Sequence, residues 1–144
     1  MIAKLLCIIS VLFLSLYVID GKKLGRCELA KILLVHGIAR DKIADWICLA
    51  EHESSLNTAA KGRPNKNGSV DFGIFQINNK YWCTPPSQHN ECNIQCSKFL
   101  DDNLDDDIKC AKKIYKRHGF NAWYAWINNC KGKDLKVYVK DCKY

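Results

Sequence analysis

The chain has 144 residues, which is enough for one domain with its own core. Lysine and arginine outnumber aspartate and glutamate by 22 to 15, and the formal net charge of +7 favours anionic partners such as bacterial envelopes, nucleic acid or acidic lipid. Basic runs interleaved with aromatic residues are absent from the sequence, so nucleic acid is not the expected partner.

Residues 1–21 have the pattern of a secretory signal peptide. Lys4 precedes an almost unbroken apolar run from Leu5 to Ile19, and Gly21 is a small residue at the expected cleavage position. A membrane anchor is the alternative, but the run is shorter than the roughly 20 residues that span a bilayer. We therefore expect a secreted, extracellular domain at residues 22–144, without stable membrane insertion.

Removal of this leader also removes Cys7 and leaves an even number of cysteines, which predicts four disulfides in a short secreted chain. The eight cysteines are Cys27, Cys48, Cys83, Cys92, Cys96, Cys110, Cys130 and Cys142. Zinc binding is the alternative, but paired C-x-x-C motifs are absent from the sequence. Spacing alone leaves on the order of a hundred pairings open.

Apolar periodicity predicts helices at residues 27–36 and 41–54, the first of them ended by Gly37. The turn signal at 66–69 and the alternation of Val70, Phe72 and Ile74 then predict a hairpin, with a further strand within 76–80.

The C-terminal part begins with a cysteine-rich loop at residues 83–96. A helix should follow, capped by Asp105 or Asp106, passing through Tyr115 and closed by Gly119, and a short helix should cover 121–130. Helices, a small antiparallel sheet and further helices define an α+β fold. A cleft between two such lobes is a natural ligand site.

Two carboxyl groups suit acid–base chemistry. Glu53 lies near the end of the second predicted helix, at the edge of its apolar stripe, where loss of solvation raises a carboxyl pKa. Glu51 lies on the opposite edge, so periodicity does not choose between them. Asp71 is out of phase with Val70 and Phe72, and it should face polar groups and stay ionised. One protonated and one ionised carboxyl group are what glycoside hydrolysis requires.

The sequence from residue 22 onward is similar to C-type lysozymes, and to insect members above all. The motifs that carry the resemblance are KKLGRCEL at 22–29, EHESS at 51–55, GSVDFGIFQIN at 68–78, CAKKI at 110–114 and NAWYAW at 121–126. This family is the standard example of the carboxyl pair just described. The resemblance implies a helical lobe, a small sheet lobe, and the pairings Cys27–Cys142, Cys48–Cys130, Cys83–Cys96 and Cys92–Cys110.

The same resemblance implies a retaining glycosidase that cuts the β-1,4 linkage between N-acetylmuramic acid and N-acetylglucosamine in bacterial peptidoglycan. Glu53 would be the general acid, Asp71 the nucleophile or electrostatic stabiliser, and Trp123 the apolar wall beside Glu53. Catalysis would need no cofactor. The other substrate-binding residues that it implies are Gln76, Asn78, Tyr81, Trp82 and Ala122.

The chain departs from some relatives at the predicted sugar site. Tyr81 stands where some relatives have tryptophan, which reduces the stacking area, and Lys116 stands where some have a sugar-binding aspartate.

An acidic segment at residues 101–107 carries five carboxylates in seven positions. A helix N-terminus favours some negative charge, but five such groups repel one another. The spacing is not that of an EF-hand, whereas the segment resembles the calcium loop of α-lactalbumins and calcium-binding lysozymes. A structural Ca²⁺ ion would then bind side-chain oxygens of Asp101, Asp106 and Asp107 and the backbone carbonyls of Lys98 and Asn103.

Two rival functions share the implied fold: a noncatalytic regulator of the α-lactalbumin kind and a noncatalytic carbohydrate-binding module. The presence of both Glu53 and Asp71 favours the enzyme. The basic charge favours a defensive over a digestive role, and a monomer is expected.

Overall fold

A computed structural model describes residues 21–144, and the predicted signal peptide up to Asp20 lies outside the described residues. The helices are α1 (Arg26–Val35), α2 (Ile43–Ser54), α3 (Asp105–His118) and α4 (Tyr124–Asn129). The strands β1 (Asp71–Phe72) and β2 (Ile77–Asn78) form a small antiparallel sheet. Short 3₁₀ turns lie at Arg40–Lys42, Cys96–Leu100, Gly119–Ala122 and Lys136–Tyr138. The predicted α+β fold is confirmed.

Helices α1 and α2 form because each has an apolar stripe to bury. Leu29 and Leu33 of α1 and Ile43 and Ile47 of α2 are fully buried. The four side chains therefore lie in one core, as the periodicity predicted. Within residues 21–144, none of the helices is long and apolar enough to cross a membrane.

Trp46 of α2 joins the helical core to the rest of the molecule. Its ring centroid lies 5.5 Å from that of Phe75, 5.1 Å from Phe120 and 5.5 Å from Trp123, each in an edge-to-face arrangement. The end of α2 is thereby fixed relative to both the sheet and the C-terminal helices.

The chain makes two successive hairpin turns around β1. The predicted turn at 66–69 lies between Lys61 and Phe72, which form an isolated antiparallel bridge. The second turn joins β1 to β2, in the register Asp71 opposite Asn78 and Phe72 opposite Ile77. The predicted strand within 76–80 is therefore two residues long, and Ile74 lies in the second turn rather than on a strand.

The predicted caps of α3 are wrong. The helix begins at Asp105, and neither Asp105 nor Asp106 caps it; the N-cap residue is Leu104, which has no side-chain cap. Instead, Asn103 Oδ1 accepts a hydrogen bond from the Asp105 N–H at 3.0 Å. The C-terminal signal is confirmed, because Gly119 follows the helix with φ +64°.

The single helix predicted at 121–130 is also wrong. A 3₁₀ turn ends at Ala122, and α4 begins at Tyr124. Trp123 between them is extended, with φ −113° and ψ 116°. With this backbone conformation the Trp123 side chain is buried in the core, where its Nε1 donates to the Phe75 carbonyl oxygen.

The four disulfides are Cys27–Cys142, Cys48–Cys130, Cys83–Cys96 and Cys92–Cys110, the pairings that the resemblance implied. Cys27–Cys142 joins residues 115 apart in the sequence and closes nearly the whole described chain. By constraining the unfolded state, a loop of that length contributes about 4–5 kcal/mol in the chain-entropy model.

Candidate active site

A cleft of about 670 Å³ collects side chains from α2, the sheet, the loop after it, α3 and the start of α4. All eight residues that the sequence placed in a sugar site line this cleft: Glu53, Asp71, Gln76, Asn78, Tyr81, Trp82, Ala122 and Trp123.

Glu53 is half-buried at the end of α2. Burial raises the pKa of its carboxyl group to about 7, and the negative charge of Asp71 adds to the shift. A hydrogen bond from the backbone N–H of Ala125 opposes part of it. Glu53 can therefore carry a proton near neutral pH and release it to a bound substrate.

Glu51 is excluded from this role by its partner. Arg26 of α1 donates two hydrogen bonds to its carboxylate, at 2.6 and 2.7 Å. These bonds hold the pKa of Glu51 below its usual value. Glu51 is also absent from the residues that line the cleft.

Asp71 faces polar groups, as its phase on the strand predicted. Asn78 Nδ2 donates to one of its carboxylate oxygens at 2.7 Å, and Asn65 Nδ2 donates to the other at 3.0 Å. Asn78 Nδ2 also donates to Ser69 Oγ at 2.9 Å, which fixes the asparagine itself. Two amide donors orient the carboxylate and stabilise its negative charge.

Trp123 and Gln76 are held by main-chain groups. Trp123 Nε1 donates to the Phe75 carbonyl oxygen at 2.9 Å, so Trp123 can offer a sugar its apolar ring and not its N–H. Gln76 Nε2 donates to the carbonyl oxygens of Ala60 and Gly73, at 3.1 and 2.9 Å. Gln76 therefore braces the turn between β1 and β2 from within the cleft.

The two aromatic side chains predicted to form a sugar platform differ in exposure. Tyr81 is 48% exposed, whereas Trp82 is only 9% exposed. The Arg117 guanidinium group lies over the Trp82 ring, 5.2 Å from its centroid, and His118 meets the ring edge-on at 6.1 Å. Tyr81 therefore offers the larger free aromatic face for a sugar ring.

Several residues of the cleft were missed by the sequence analysis. Asn67 and Ser69 belong to the predicted turn at 66–69 and Asn65 directly precedes it, but nothing in that signal linked the three residues to Asp71. His118 and Tyr124 also line the cleft, and Tyr124 is 82% exposed. Tyr124 lies within the NAWYAW motif and His118 follows the CAKKI motif by four residues, which is the only sequence signal for them. Lys116 is exposed and does not line the cleft, whereas His118 of the same helix does.

The carboxylates of the acidic segment at residues 101–107 are not gathered into one group. Across residues 21–144, no three His, Cys, Asp or Glu side chains converge in a group that could hold a metal ion. Asp107 is nevertheless fully buried, and both of its carboxylate oxygens lack a hydrogen-bond partner. Burial and the charges of Asp101 and Asp106 raise the pKa of Asp107 to about 8.

The buried Asp107 lies beside the turn that follows β1. Gly73, the residue after β1, has φ +75°. A Cβ atom added there would overlap the Phe99 carbonyl oxygen and come within 2.6 Å of Asp107 Oδ1. Glycine is therefore required at this position by both its conformation and the close approach.

Comparison with known proteins agrees with this fold. Residues 22–142 match the model of the C-type lysozyme/alpha-lactalbumin family, and the chain belongs to that family. "Lysozyme c-1" of Anopheles gambiae is 56% identical over 118 residues, which cover 82% of this chain and 84% of that protein. "Lysozyme C, milk isozyme" of Canis lupus familiaris is 50% identical over 127 residues, which cover 84% of this chain and 98% of that protein.

Solved structures give the same result. Recombinant canine milk lysozyme, in a structure described as apo-type, matches with a TM-score of 0.80 and 50% identity, covering 85% of this chain and 100% of that chain. A calcium-binding lysozyme from equine milk matches with a TM-score of 0.78 and 45% identity. The match covers 85% of this chain and 100% of that chain.

Proposed function

We propose that this chain is a secreted, monomeric lysozyme that hydrolyses the β-1,4 linkage between N-acetylmuramic acid and N-acetylglucosamine in bacterial peptidoglycan. The observation that carries the proposal is the pair of carboxyl groups in one cleft. Glu53 has a pKa of about 7, and Asp71 is held by two amide donors. Glycoside hydrolysis needs one carboxyl group of each kind. The net charge of +7 would hold the protein on anionic cell walls.

In the first step Glu53 donates its proton to the glycosidic oxygen, and the bond from that oxygen to the anomeric carbon breaks. Asp71 attacks or electrostatically stabilises the positive charge that develops on the sugar. Asn65 and Asn78 keep Asp71 in place, while the face of Tyr81 supports a sugar ring.

In the second step a water molecule attacks the anomeric carbon. Glu53, now ionised, accepts the proton of that water and returns to its starting state. If Asp71 has bonded to the sugar, the attack of water breaks the bond between its oxygen and the anomeric carbon and frees the carboxylate; if it acted only electrostatically, it keeps its charge throughout. The hydrolysed sugar chain can then leave. The cleft residues supply every proton transfer, so no cofactor takes part.

A turbidity assay on bacterial cell walls tests the enzyme against its noncatalytic rivals. We expect the purified residues 22–144 to clear a wall suspension, with release of reducing sugar ends. Binding to walls without clearing would favour a carbohydrate-binding module. No binding and no clearing would favour a regulator of the α-lactalbumin kind.

We expect the first product to retain the anomeric configuration. Retention follows because Asp71 acts on the face of the sugar opposite the leaving group. Water then attacks the face from which the leaving group departed. Proton NMR of a β-linked oligosaccharide during the first turnovers measures it. Appearance of the α-anomer as the first product would assign Asp71 the role of a base that activates water.

A structural Ca²⁺ ion at the acidic segment is part of the proposal. The residues suit such an ion in their chemistry, because Asp107 supplies two buried carboxylate oxygens that have no partner and the charges of Asp101 and Asp106 act on it. The three carboxylates do not converge among the described residues, so binding would require Asp101 and Asp106 to turn towards Asp107. The backbone carbonyls of Lys98 and Asn103 would complete the oxygen ligands. The ion would supply positive charge to the start of α3 and no chemistry to the cleft.

We expect calcium to raise the melting temperature and a chelator to lower it. A ligand that binds only the folded chain stabilises it by about 2.7 kcal/mol at 100 times its Kd. Magnesium should do less, because it prefers a rigid octahedron and holds its waters tightly. Asp107→Asn keeps the shape of the side chain and should abolish the calcium effect, as scanning calorimetry can show. Equal melting temperatures in calcium and in chelator would contradict the calcium site.

A further inference from the structure

Lys22, the first residue after the predicted cleavage position, is held by its main-chain nitrogen. That nitrogen lies 2.9 Å from Thr58 Oγ1 and 3.1 Å from Asp102 Oδ1. Thr58 is fully buried, and its hydroxyl group donates to the same Asp102 oxygen at 2.6 Å. One nitrogen and two mutually bonded oxygens thus form a closed triangle.

The triangle offers more acceptors than an amide can satisfy. Thr58 gives its only hydroxyl hydrogen to Asp102, so towards Lys22 it can only accept. A main-chain amide must divide its one hydrogen between the two oxygens. An α-ammonium group has three hydrogens and a positive charge, and a charge-assisted bond to a carboxylate is roughly twice as strong as a neutral one.

The position of Lys22 is fixed by the residues that follow it. The Thr58 N–H donates to the Lys22 carbonyl oxygen at 3.0 Å, and the Leu24 N–H donates to the Leu56 carbonyl oxygen at 3.0 Å. Residues 22–24 therefore lie along 56–58 through bonds that do not involve Gly21. Gly21 itself is crowded, because a Cβ atom there would overlap Ala59 Cβ and Asn57 Oδ1.

We propose that cleavage between Gly21 and Lys22 creates an α-ammonium group that binds Asp102 and Thr58, so that removal of the leader completes the fold. This inference rests on the proposed secretion of the chain. The new positive charge pairs with an acidic segment whose carboxylates otherwise repel one another. It also ties the start of the mature chain to the segment that precedes α3, which is distant in sequence by 80 residues.

The test is a cycle of four proteins, melted at pH 6, where an α-amino group is protonated. One form begins at Lys22 and the other begins one residue earlier, at Gly21. Each form is made with and without Asp102→Asn. Both forms carry an α-ammonium group, but only the first carries it on Lys22. We expect the Lys22 form to melt about 3–6 °C higher, and Asp102→Asn to remove at least half of that difference. A chelator in all samples keeps the result independent of the calcium proposal.

Two matched variants separate this contact from its surroundings. Lys22→Ala removes the side-chain pair between Lys22 Nζ and Glu28 but keeps the α-ammonium group. Asp105→Asn removes a charge from the same acidic segment, and Asp105 pairs with His36 rather than with Lys22. Both should leave the difference between the two forms intact.

Three results would overturn the proposal. They are equal melting temperatures for the two forms, an unchanged difference in Asp102→Asn, and an N-terminus other than Lys22 in the mass of the protein secreted from the full chain. Melting does not depend on wall lysis, so a protein that failed the turbidity assay would still test this contact.

Discussion

Glu53→Gln should abolish wall lysis while the protein stays folded. Glutamine keeps the shape of the side chain but cannot donate a proton to the glycosidic oxygen, and general acid catalysis contributes about 10²–10⁴-fold to rate. Wild-type activity should fall as pH rises through about 7, where Glu53 loses its proton. Initial rates on a soluble peptidoglycan fragment, measured from pH 4 to 9, test both expectations.

The same substitution should stabilise the protein at high pH. The pKa of Glu53 is raised on folding from 4.5 to about 7, so folding of the wild type is most favourable below pH 4.5 and weakens as pH rises through 7. Glu53→Gln has no charge to bury. Its free energy of unfolding should match that of the wild type at pH 4 and exceed it by about 1–3 kcal/mol at pH 8.

Glu51→Gln is the matched control, because it makes the same change two positions earlier on α2. It weakens the contact with Arg26 and should lower stability slightly, but it should keep most of the lysis activity. Near-normal lysis by a folded Glu53→Gln protein would remove Glu53 from the mechanism. Loss of lysis in Glu51→Gln but not in Glu53→Gln would show that the acid is Glu51 and that the assignment to Glu53 is wrong.

Asp71→Asn should lower the rate of hydrolysis by about 100-fold or more, with a smaller change in substrate affinity. The substitution removes the negative charge that meets the developing positive charge on the sugar, and interactions of this kind are worth about 10²–10³-fold in rate. It also sets an amide against the amide donors of Asn65 and Asn78. Steady-state kcat and KM on a soluble fragment separate the two effects.

Asp141→Asn is a control for charge, since Asp141 is exposed and does not line the cleft. It should leave kcat and KM unchanged. An equal loss of rate in both variants would point to net charge as the cause, and an unaffected kcat in Asp71→Asn would refute the role of Asp71.

Local sequence signals predicted the elements that depend on nearby residues. The periodicity of α1 and α2 gave their buried faces, because a helix that must bury one side repeats its apolar residues every three to four positions. The phase of Asp71 against Phe72 gave the polar direction of Asp71, because strand side chains alternate. The predicted caps of α3 were wrong because the side chain of Asn103, which lies before the helix, accepts the hydrogen bond from the Asp105 N–H.

The sequence alone determined the helices of the first lobe, the turn at 66–69 and the eight cysteines of residues 22–144. Through its resemblance to C-type lysozymes it also gave the disulfide pairing and eight of the residues that line the cleft. Only the tertiary structure distinguished the two glutamates of α2 physically. Arg26, 25 residues away, holds Glu51, whereas Glu53 is buried beside Asp71. It also placed the Asn65 amide in contact with Asp71 and the main-chain nitrogen of Lys22 in contact with Asp102. His118 and Tyr124 line the cleft for the same reason. Each of these depends on contacts between distant parts of the chain, which have no local period for a sequence pattern to show.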